Sequence, residues 1–199
     1  MALPKLQTPT YELEQPSTSE KIKYRPFLVK EQKVLMMASE SDDEKQTRDA
    51  LAGIINSCTF GKVDAYTIPM FDVEFLFLRI RGKSVGEKVE LSLTCPDDNE
   101  TKVNTTLNLE EIGVTMKKEH TNIIEVTDNI KIIMKYPTIN DMMGVNLDEF
   151  IDSLTTEQFE NLSEFFDTMP KVAHVIKVTN PKTKKKGEVT IEGIGSFFE

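Results

Sequence analysis

Two cysteines and two histidines are the side chains of this chain that could act as nucleophile and general base near neutral pH. Cys58 and Cys95 are its only cysteines, and His120 and His174 are its only histidines. A thiol becomes a catalytic nucleophile when a neighbouring base removes its proton, but none of these residues lies in a recognisable nucleophile motif. The sequence therefore favours a protein that is not an enzyme, with both thiols reduced and buried.

The segment that begins at Cys95 carries side chains that metal ions bind. Cys95-Pro96-Asp97-Asp98 stands at the tip of a predicted hairpin, but Asp98 occupies the position where a zinc knuckle has its second cysteine. Structural zinc needs four ligands, usually supplied by two such pairs. A plain β-turn without cofactor is the preferred interpretation. The alternative is a metal-binding regulatory domain related to zinc ribbons, with a degenerate site at Cys95.

The charge balance disfavours several classes of partner. The chain has 24 basic and 33 acidic residues, and its net charge of -9 repels nucleic acid and anionic lipid. Even the apolar segment 70–80 contains three charged residues, which rules it out as a membrane span. No signal peptide and no glycine-rich phosphate loop is recognisable. We expect a soluble intracellular protein that binds no nucleic acid, membrane or small-molecule substrate.

The strongest basic cluster is a run of lysines near the end of the chain. Four lysines lie between Asn180 and Gly187, where the sequence predicts a turn between two strands. Short lysine clusters at hairpin turns are commonly solvated, and we interpret this one in that way. Its members are Lys182, Lys184, Lys185 and Lys186.

The first part of the chain predicts an arm followed by a helix. Pro4, Pro9 and Pro16 disfavour helix, so residues 1–20 are predicted to form an extended arm. Residues 30–41 are rich in helix formers and have apolar residues at helical spacing, which predicts one buried face. This face consists of Val34, Leu35, Met37 and Ala38.

A second helix is predicted to begin at Ser41. Its hydroxyl can cap the helix, and the acidic residues that follow lie in the first turn, where the helix dipole favours anions. The apolar stripe ends near Cys58 and consists of Ala50, Leu51, Ile54 and Ile55.

Residues 70–81 are the hardest local assignment, because their aromatic and branched side chains also suit a strand. Asp72 and Glu74 lie early and Arg79 lies late, an order that matches the helix dipole. We therefore predict a helix that stops at Gly82. Apolar residues cover most of its circumference, so the helix is expected to be central in the fold or to meet a partner.

The pattern changes to strands from residue 88. Apolar and polar residues alternate over residues 89–93 and again over 103–107, which predicts an antiparallel hairpin. Two more strand-like segments lie within residues 122–135. The middle of the chain is therefore predicted to be rich in β-structure.

The last third returns to helix before it closes with strands. Residues 138–169 predict short helices, the best of them at 155–167 with Thr155 or Thr156 as cap. Two strands, at 173–179 and 187–191, close the chain as a hairpin. The apolar face of the best helix consists of Phe159, Leu162, Phe165 and Phe166.

The order of these elements predicts an α+β fold. It has N-terminal helices, a central antiparallel β-hairpin region and C-terminal helices that close with a β-hairpin. We expect the arm of residues 1–20 to precede a single domain of residues 21–199. A division with a β-hairpin subdomain near residues 86–135 is the alternative.

Three stretches of the chain carry a family resemblance. The first is residues 24–31 running on to 36–41, the second is FDVEFLFLRIRGKSVGE at residues 71–87, and the third is EGIGSFF at residues 192–198. In order and spacing they resemble the baseplate hub proteins of T4-like bacteriophages, over most of the chain from about residue 24 to residue 198.

The resemblance implies a role in virus assembly. The family includes a shorter type, described as a baseplate hub subunit, and a longer hub assembly catalyst with a further region after a double phenylalanine. Because this chain stops at Glu199, the resemblance implies the shorter type. It implies a non-enzymatic component or assembly chaperone of the contractile-tail baseplate hub, with other hub or tail proteins as partners. Its expected locations are the host cytoplasm during assembly and the virion baseplate.

The candidate partner contacts lie in the same stretches. Aromatic and arginine side chains are enriched where proteins bind each other, and packing in the core is the other interpretation of each residue. The sequence leaves the oligomeric state open. The candidates are Tyr24, Arg25, Pro26, Phe27, Phe71, Phe75, Phe197 and Phe198.

Overall fold

The computed structural model of the chain describes residues 7–41, 43–127, 129–141, 152, 154–193 and 195. Within these residues the helices are α1 (Val29–Ser39), α2 (Glu44–Cys58), α3 (Met70–Val85) and α4 (Thr156–Thr168), with a short 3-10 helix at Leu109–Glu111. The strands are β1 (Tyr11–Glu14), β2 (Lys21–Tyr24), β3 (Lys88–Thr94), β4 (Lys102–Asn108), β5 (Gly113–Thr115), β6 (Ile123–Thr127), β7 (Ile130–Ile133), β8 (Lys171–Thr179) and β9 (Lys186–Glu192). The predicted α+β class is confirmed.

Helix α3 lies between two hydrophobic clusters. Successive residues of a helix are about 100° apart, so apolar residues spread over the whole sequence of α3 point to opposite sides. Phe71, Phe75 and Leu78 face a cluster formed with β3, β4, β8 and β9. The opposite side faces a cluster formed with β2, α2 and the loop before α3. That side consists of Val73, Leu76, Phe77 and Ile80. The prediction of a central helix is therefore confirmed.

Helix α3 continues past the predicted stop. Gly82 is buried within the helix, and a Cβ there would make ordinary van der Waals contacts with Glu87 and Leu109 at 3.8 to 3.9 Å. The helix ends instead at Gly86, whose φ of 117° is a conformation that favours glycine. The predicted stop at Gly82 is wrong because Gly82 keeps a helical backbone, while Gly86 provides the change of backbone direction.

The strand β1 lies inside the segment predicted as an arm. It pairs antiparallel with β2, with Tyr11 opposite Tyr24 and Leu13 opposite Ile22. Gln15 and Ser17, in the connecting turn, both hydrogen bond to the buried carboxylate of Asp72 in the first turn of α3. Residues 11–24 are therefore a hairpin held against α3, and residues 1–6 lie outside the described part of the chain.

A buried ion pair joins β2, α1 and α2. The Arg25 guanidinium donates to Glu31 Oε1 at 2.9 Å and to Ser57 Oγ at 2.9 Å. The other oxygen of Glu31 accepts the Leu28 backbone N–H at 2.7 Å, which closes the first turn of α1. The two charged side chains are only 10% and 6% exposed. This cluster fixes the start of α1 against the end of α2.

Two predicted helix details need correction. Asp43, not Ser41, caps α2, because its carboxylate accepts the Lys45 N–H while Ser41 Oγ accepts the N–H of Asp43. In α4 the predicted cap at Thr155 is confirmed, since Thr155 Oγ1 accepts the Gln158 N–H. Of its predicted apolar face, Phe165 is buried, whereas Phe159 and Phe166 are exposed.

The C-terminal layer consists of antiparallel strands. β3 pairs with β4, β6 with β7, and β8 lies between β5 and β9. The turn of the β3–β4 hairpin meets the β8–β9 hairpin, where Gly187 lies directly against Pro96. Both hairpins that the sequence predicted are confirmed. None of the four helices in the described ranges has both the length and the apolar character that crossing a membrane requires.

The pKa of Glu31 makes the ion pair testable. Burial raises the pKa of this carboxyl, but the hydrogen bonds from Arg25, Leu28 and Ser57 outweigh it and lower the pKa to about 2. A carboxyl group whose pKa falls on folding stabilises the folded protein at pH values above its pKa in the unfolded chain, about 4.3. The stabilisation is on the order of 3 kcal/mol here, and it is lost as the pH falls towards 2.

We expect Glu31→Gln to lower the free energy of unfolding by about 2 to 3 kcal/mol at pH 7 and to differ little from the wild type near pH 2. Urea denaturation followed by circular dichroism between pH 7 and pH 2 measures this difference. Glu40→Gln, at an exposed residue that follows α1, is the matched control and should change little. If the wild type were more stable than Glu31→Gln by the same free energy at every pH, the ionised Glu31 carboxylate would not be the source of the stabilisation.

A pair of glycine substitutions tests the contact between the hairpins. A Cβ at Gly187 would lie 2.6 Å from Pro96 Cγ, so Gly187→Ala should lower the free energy of unfolding by about 1 to 3 kcal/mol. Gly53→Ala, inside α2 with nothing within 4 Å of the new Cβ, should raise it by about 0.5 to 1 kcal/mol. Denaturant titration of both variants measures the two effects, and equal effects would refute the close contact.

Candidate interaction surface

The cysteines lie in protein interior rather than in a reactive site. Cys58 ends α2 and has no exposed surface, and burial raises the pKa of its thiol to about 11. Cys95 follows β3 and is equally buried, with burial and then the nearby carboxylates of Asp97 and Asp98 raising the pKa of its thiol. Thiolate is the reactive form of cysteine. Both side chains are therefore protonated near neutral pH.

Both ring nitrogens of His120 have hydrogen-bond partners. Nδ1 lies 2.9 Å from Thr168 Oγ1, which itself donates to the Glu164 carbonyl at 2.6 Å. Nε2 lies 3.1 Å from the Tyr136 hydroxyl. The His120 ring also packs against Phe165, at 5.2 Å between centroids. Both ring nitrogens are thus used to join α4 to the segment after β7. His174 lies on β8.

The Cys95 turn is built as a structural contact. Asp98 accepts from the backbone and side chain of Thr101, which closes the turn, and Asn180 Nδ2 donates to Asp97 at 2.8 Å and to Asp98 at 2.9 Å. Hydrogen bonds from Thr183 and Asn180 lower the pKa of Asp97, and those from Thr101 and Asn180 lower that of Asp98. In the described ranges no three His, Cys, Asp or Glu side chains are grouped as metal ligands.

The lysine cluster lies on the other side of the same contact. Asn180 is buried and its Oδ1 accepts the backbone N–H groups of Lys182 and Thr183, which shapes the turn. Lys184 takes a positive φ of 61° there. All four lysine side chains are exposed. The lysines thus lie in a solvated turn, and Asn180 in that turn connects the β8–β9 hairpin to the β3–β4 hairpin through hydrogen bonds.

The predicted partner contacts of the first two stretches lie mostly inside the fold. Tyr24 and Phe71 are 3% and 6% exposed, and Arg25 is held in its ion pair with Glu31. The remaining three described candidates, Pro26, Phe27 and Phe75, are half-buried. Phe197 and Phe198 lie outside the described residues. Burial gives each described residue a role in stability, and its role as a partner contact stays a prediction.

The outer face of α1 is the surface that the sequence interpretation missed. Leu35 packs against the core and Ala38 is buried, as predicted. Val34 and Met37, which were predicted to be buried with them, are exposed, so this part of the prediction is wrong. At about 100° per residue, Val29, Met36 and Met37 fall on the side of α1 opposite to Leu35 and Ala38. A helical projection of the α1 sequence could have revealed this surface, because it places apolar residues on both sides of the helix.

A groove lies between α1 and α2, on the side of α1 that carries Val34. Its volume is about 310 Å³, and Ala50 and Gly53, one turn apart on α2, give it a shallow floor. Val34 lines the α1 side, and Lys30 and Asp49 add charged groups to the lining. The groove thus combines an apolar floor with charged residues at its margin.

Other exposed apolar side chains lie on the hairpin of β6 and β7. Ile123 and Ile133 are directly opposite each other and both exposed. Next to them Glu125 and Lys131 form an exposed ion pair. Ile130, also on β7, is exposed as well, so this hairpin carries a second apolar patch.

Comparison with known proteins gives one family. A family model described as "T4 bacteriophage base plate protein" matches the chain over residues 8–145 and 141–199. No curated protein and no solved structure is significantly similar to the chain. The match therefore covers nearly the whole sequence at the level of the family, without distinguishing the subgroups within it.

The buried thiols lead to a prediction about reactivity. In the native protein at pH 8, neither Cys58 nor Cys95 should react appreciably with iodoacetamide within an hour, because both are buried and protonated. Mass spectrometry after labelling measures the reaction, and labelling in 6 M guanidinium gives the full two-cysteine reference. Rapid stoichiometric labelling of one thiol in the native protein would contradict this prediction and support a catalytic role for that cysteine.

Proposed function

This chain belongs to the T4 bacteriophage base plate protein family, and from this membership we propose that it takes part in assembling the central hub of a contractile-tail baseplate. The observation that carries the proposal is the family match from residue 8 to residue 199. The hub assignment is supported by the three stretches that resemble hub proteins, at residues 24–41, 71–87 and 192–198.

The proposed role is non-enzymatic. The groups best suited to catalysis have structural surroundings: Cys58 is buried with a raised pKa, and both nitrogens of His120 are engaged in hydrogen bonds. The protein acts instead by presenting surfaces to other hub or tail proteins. Exposed apolar groups on α1 and on the β6–β7 hairpin provide such surfaces.

Two forms of this role differ in the fate of the protein. A hub subunit remains in the baseplate of the finished virion, whereas an assembly chaperone binds hub proteins in the host cytoplasm and leaves before the virion is complete.

The test is co-expression of the tagged chain with each other tail protein of the phage that encodes it. We expect at least one hub protein to co-purify, because assembly of the hub requires direct contact. Mass spectrometry of purified virions then distinguishes the two forms: presence identifies a hub subunit, and absence identifies a chaperone.

The matched control is a tail-tube or tail-fibre protein expressed in the same way, which should not co-purify. Failure of every hub protein to associate, in pairs and in the complete set, would contradict the proposal.

A further inference from the structure

Helix α1 has more apolar surface than its own fold uses. Its inner side is covered by the core through Leu35 and Ala38. On its outer side Val29 is 67% exposed and Met37 is 72% exposed, with Val34 47% exposed at the edge of the groove. Met37 follows Val34 by three residues and lies on the same side of α1 as the groove, whereas Val29 lies on the far side. Exposed apolar side chains beside a groove are typical of a site that binds another protein.

We propose that the groove between α1 and α2, with Val34 and Met37 on its α1 side, binds an amphipathic helix of another baseplate protein, with carboxylates beside its apolar stripe. This inference rests on the proposed function and adds to it the site and the chemistry of the partner. An apolar helix face laid into a groove between helices is a common mode of peptide recognition.

The shape of the groove explains how one large side chain would be held. Ala50 and Gly53 lie three residues apart on α2, so their small side chains leave a depression along the helix. A Cβ built at Gly53 meets nothing within 4 Å. The space of about 310 Å³ is sufficient for a leucine or phenylalanine side chain from a partner helix.

Methionine suits the edge of such a site. Met37 is 72% exposed and follows the groove residue Val34 by three residues, and unbranched methionine side chains can repack around different apolar shapes. Met37 can therefore adapt to the apolar stripe of a partner helix.

The charges beside the apolar face favour an acidic partner. Lys30 and Lys33 lie on the outer part of the first two turns of α1, and both are exposed. Lys30 lies 3.3 Å from Glu31, but that carboxylate is already held by Arg25. Glu40, after the last turn, is the exposed acidic residue at the far end. On the α2 side, Asp49 lines the groove and accepts a hydrogen bond from the Tyr66 hydroxyl. Lys30 and Lys33 thus make the α1 side of the groove basic on a chain of net charge -9.

A second copy of this chain is a poorer match for the groove. Two copies that each carry a net charge of -9 repel one another. A helix with carboxylates beside its stripe gains attraction from Lys30 and Lys33 instead, and such attraction sets the salt dependence of binding.

The test uses the hub protein that co-purifies with the wild-type chain and measures its Kd with purified variants. Gly53→Leu fills the groove at an exposed helix position and should weaken binding at least tenfold, while the melting temperature stays unchanged or rises. Met37→Glu should weaken binding by a similar factor. Lys33→Glu should weaken binding severalfold and reduce its salt dependence, whereas Lys182→Glu, the matched control in the solvated turn, should stay within twofold.

The possible outcomes separate this inference from the proposed function. Association of the wild-type chain together with an unchanged Kd for Gly53→Leu would overturn the docking site and leave the proposed function intact. Lack of any association with hub proteins would overturn both. Sedimentation of the wild type as a dimer that Gly53→Leu dissociates would assign the groove to a second copy and overturn the proposed partner.

Discussion

The burial of α3 on two opposite faces is the constraint on which the rest of the structure depends. Phe71 and Leu78 require cover from the C-terminal strands, while Leu76 and Ile80 require cover from the N-terminal hairpin and α2. A helix with this distribution cannot lie at a surface, since either face alone would expose several large side chains. The two layers are therefore held in one arrangement because they share the same helix.

Buried polar groups determine how each layer sits on α3. Asp72 accepts hydrogen bonds from the turn of the first hairpin, and the Arg79 guanidinium donates to the carbonyls of Leu109 and Ile112. The Arg25 and Glu31 pair sets the start of α1 in the same way. Apolar surfaces can shift along each other at little cost in free energy, whereas a buried charge that loses its partner destabilises the fold strongly. These contacts thus select one register between elements that hydrophobic burial alone brings together.

Sequence patterns predicted the elements well where a single period or charge order dominates. The hairpin of β3 and β4 followed from alternation, and α3 followed from acidic residues before Arg79. The sequence predicts an arm where β1 forms, because local signals such as Pro9 and Pro16 carry no information about the distant contact of the hairpin turn with Asp72. Likewise, α1 has apolar residues on both sides, so the face predicted to be buried wrongly included Val34 and Met37, which are exposed. Whether Tyr24 and Phe27 contact a partner depends on surfaces of other proteins.

The place of α3 in the chain has a consequence for synthesis in the host cell. Apart from Ile139, the residues that cover Leu76 and Ile80 have been made once Val85 leaves the ribosome, but β8, which helps to cover Phe71 and Leu78, ends only at Thr179. At about 5 to 20 residues per second, this gap of roughly ninety residues lasts on the order of 5 to 20 seconds. The nascent chain presents a partly covered aromatic helix face during that interval. The fold therefore ties the yield of native protein to the speed of translation and to the chaperones that meet the chain at the ribosome.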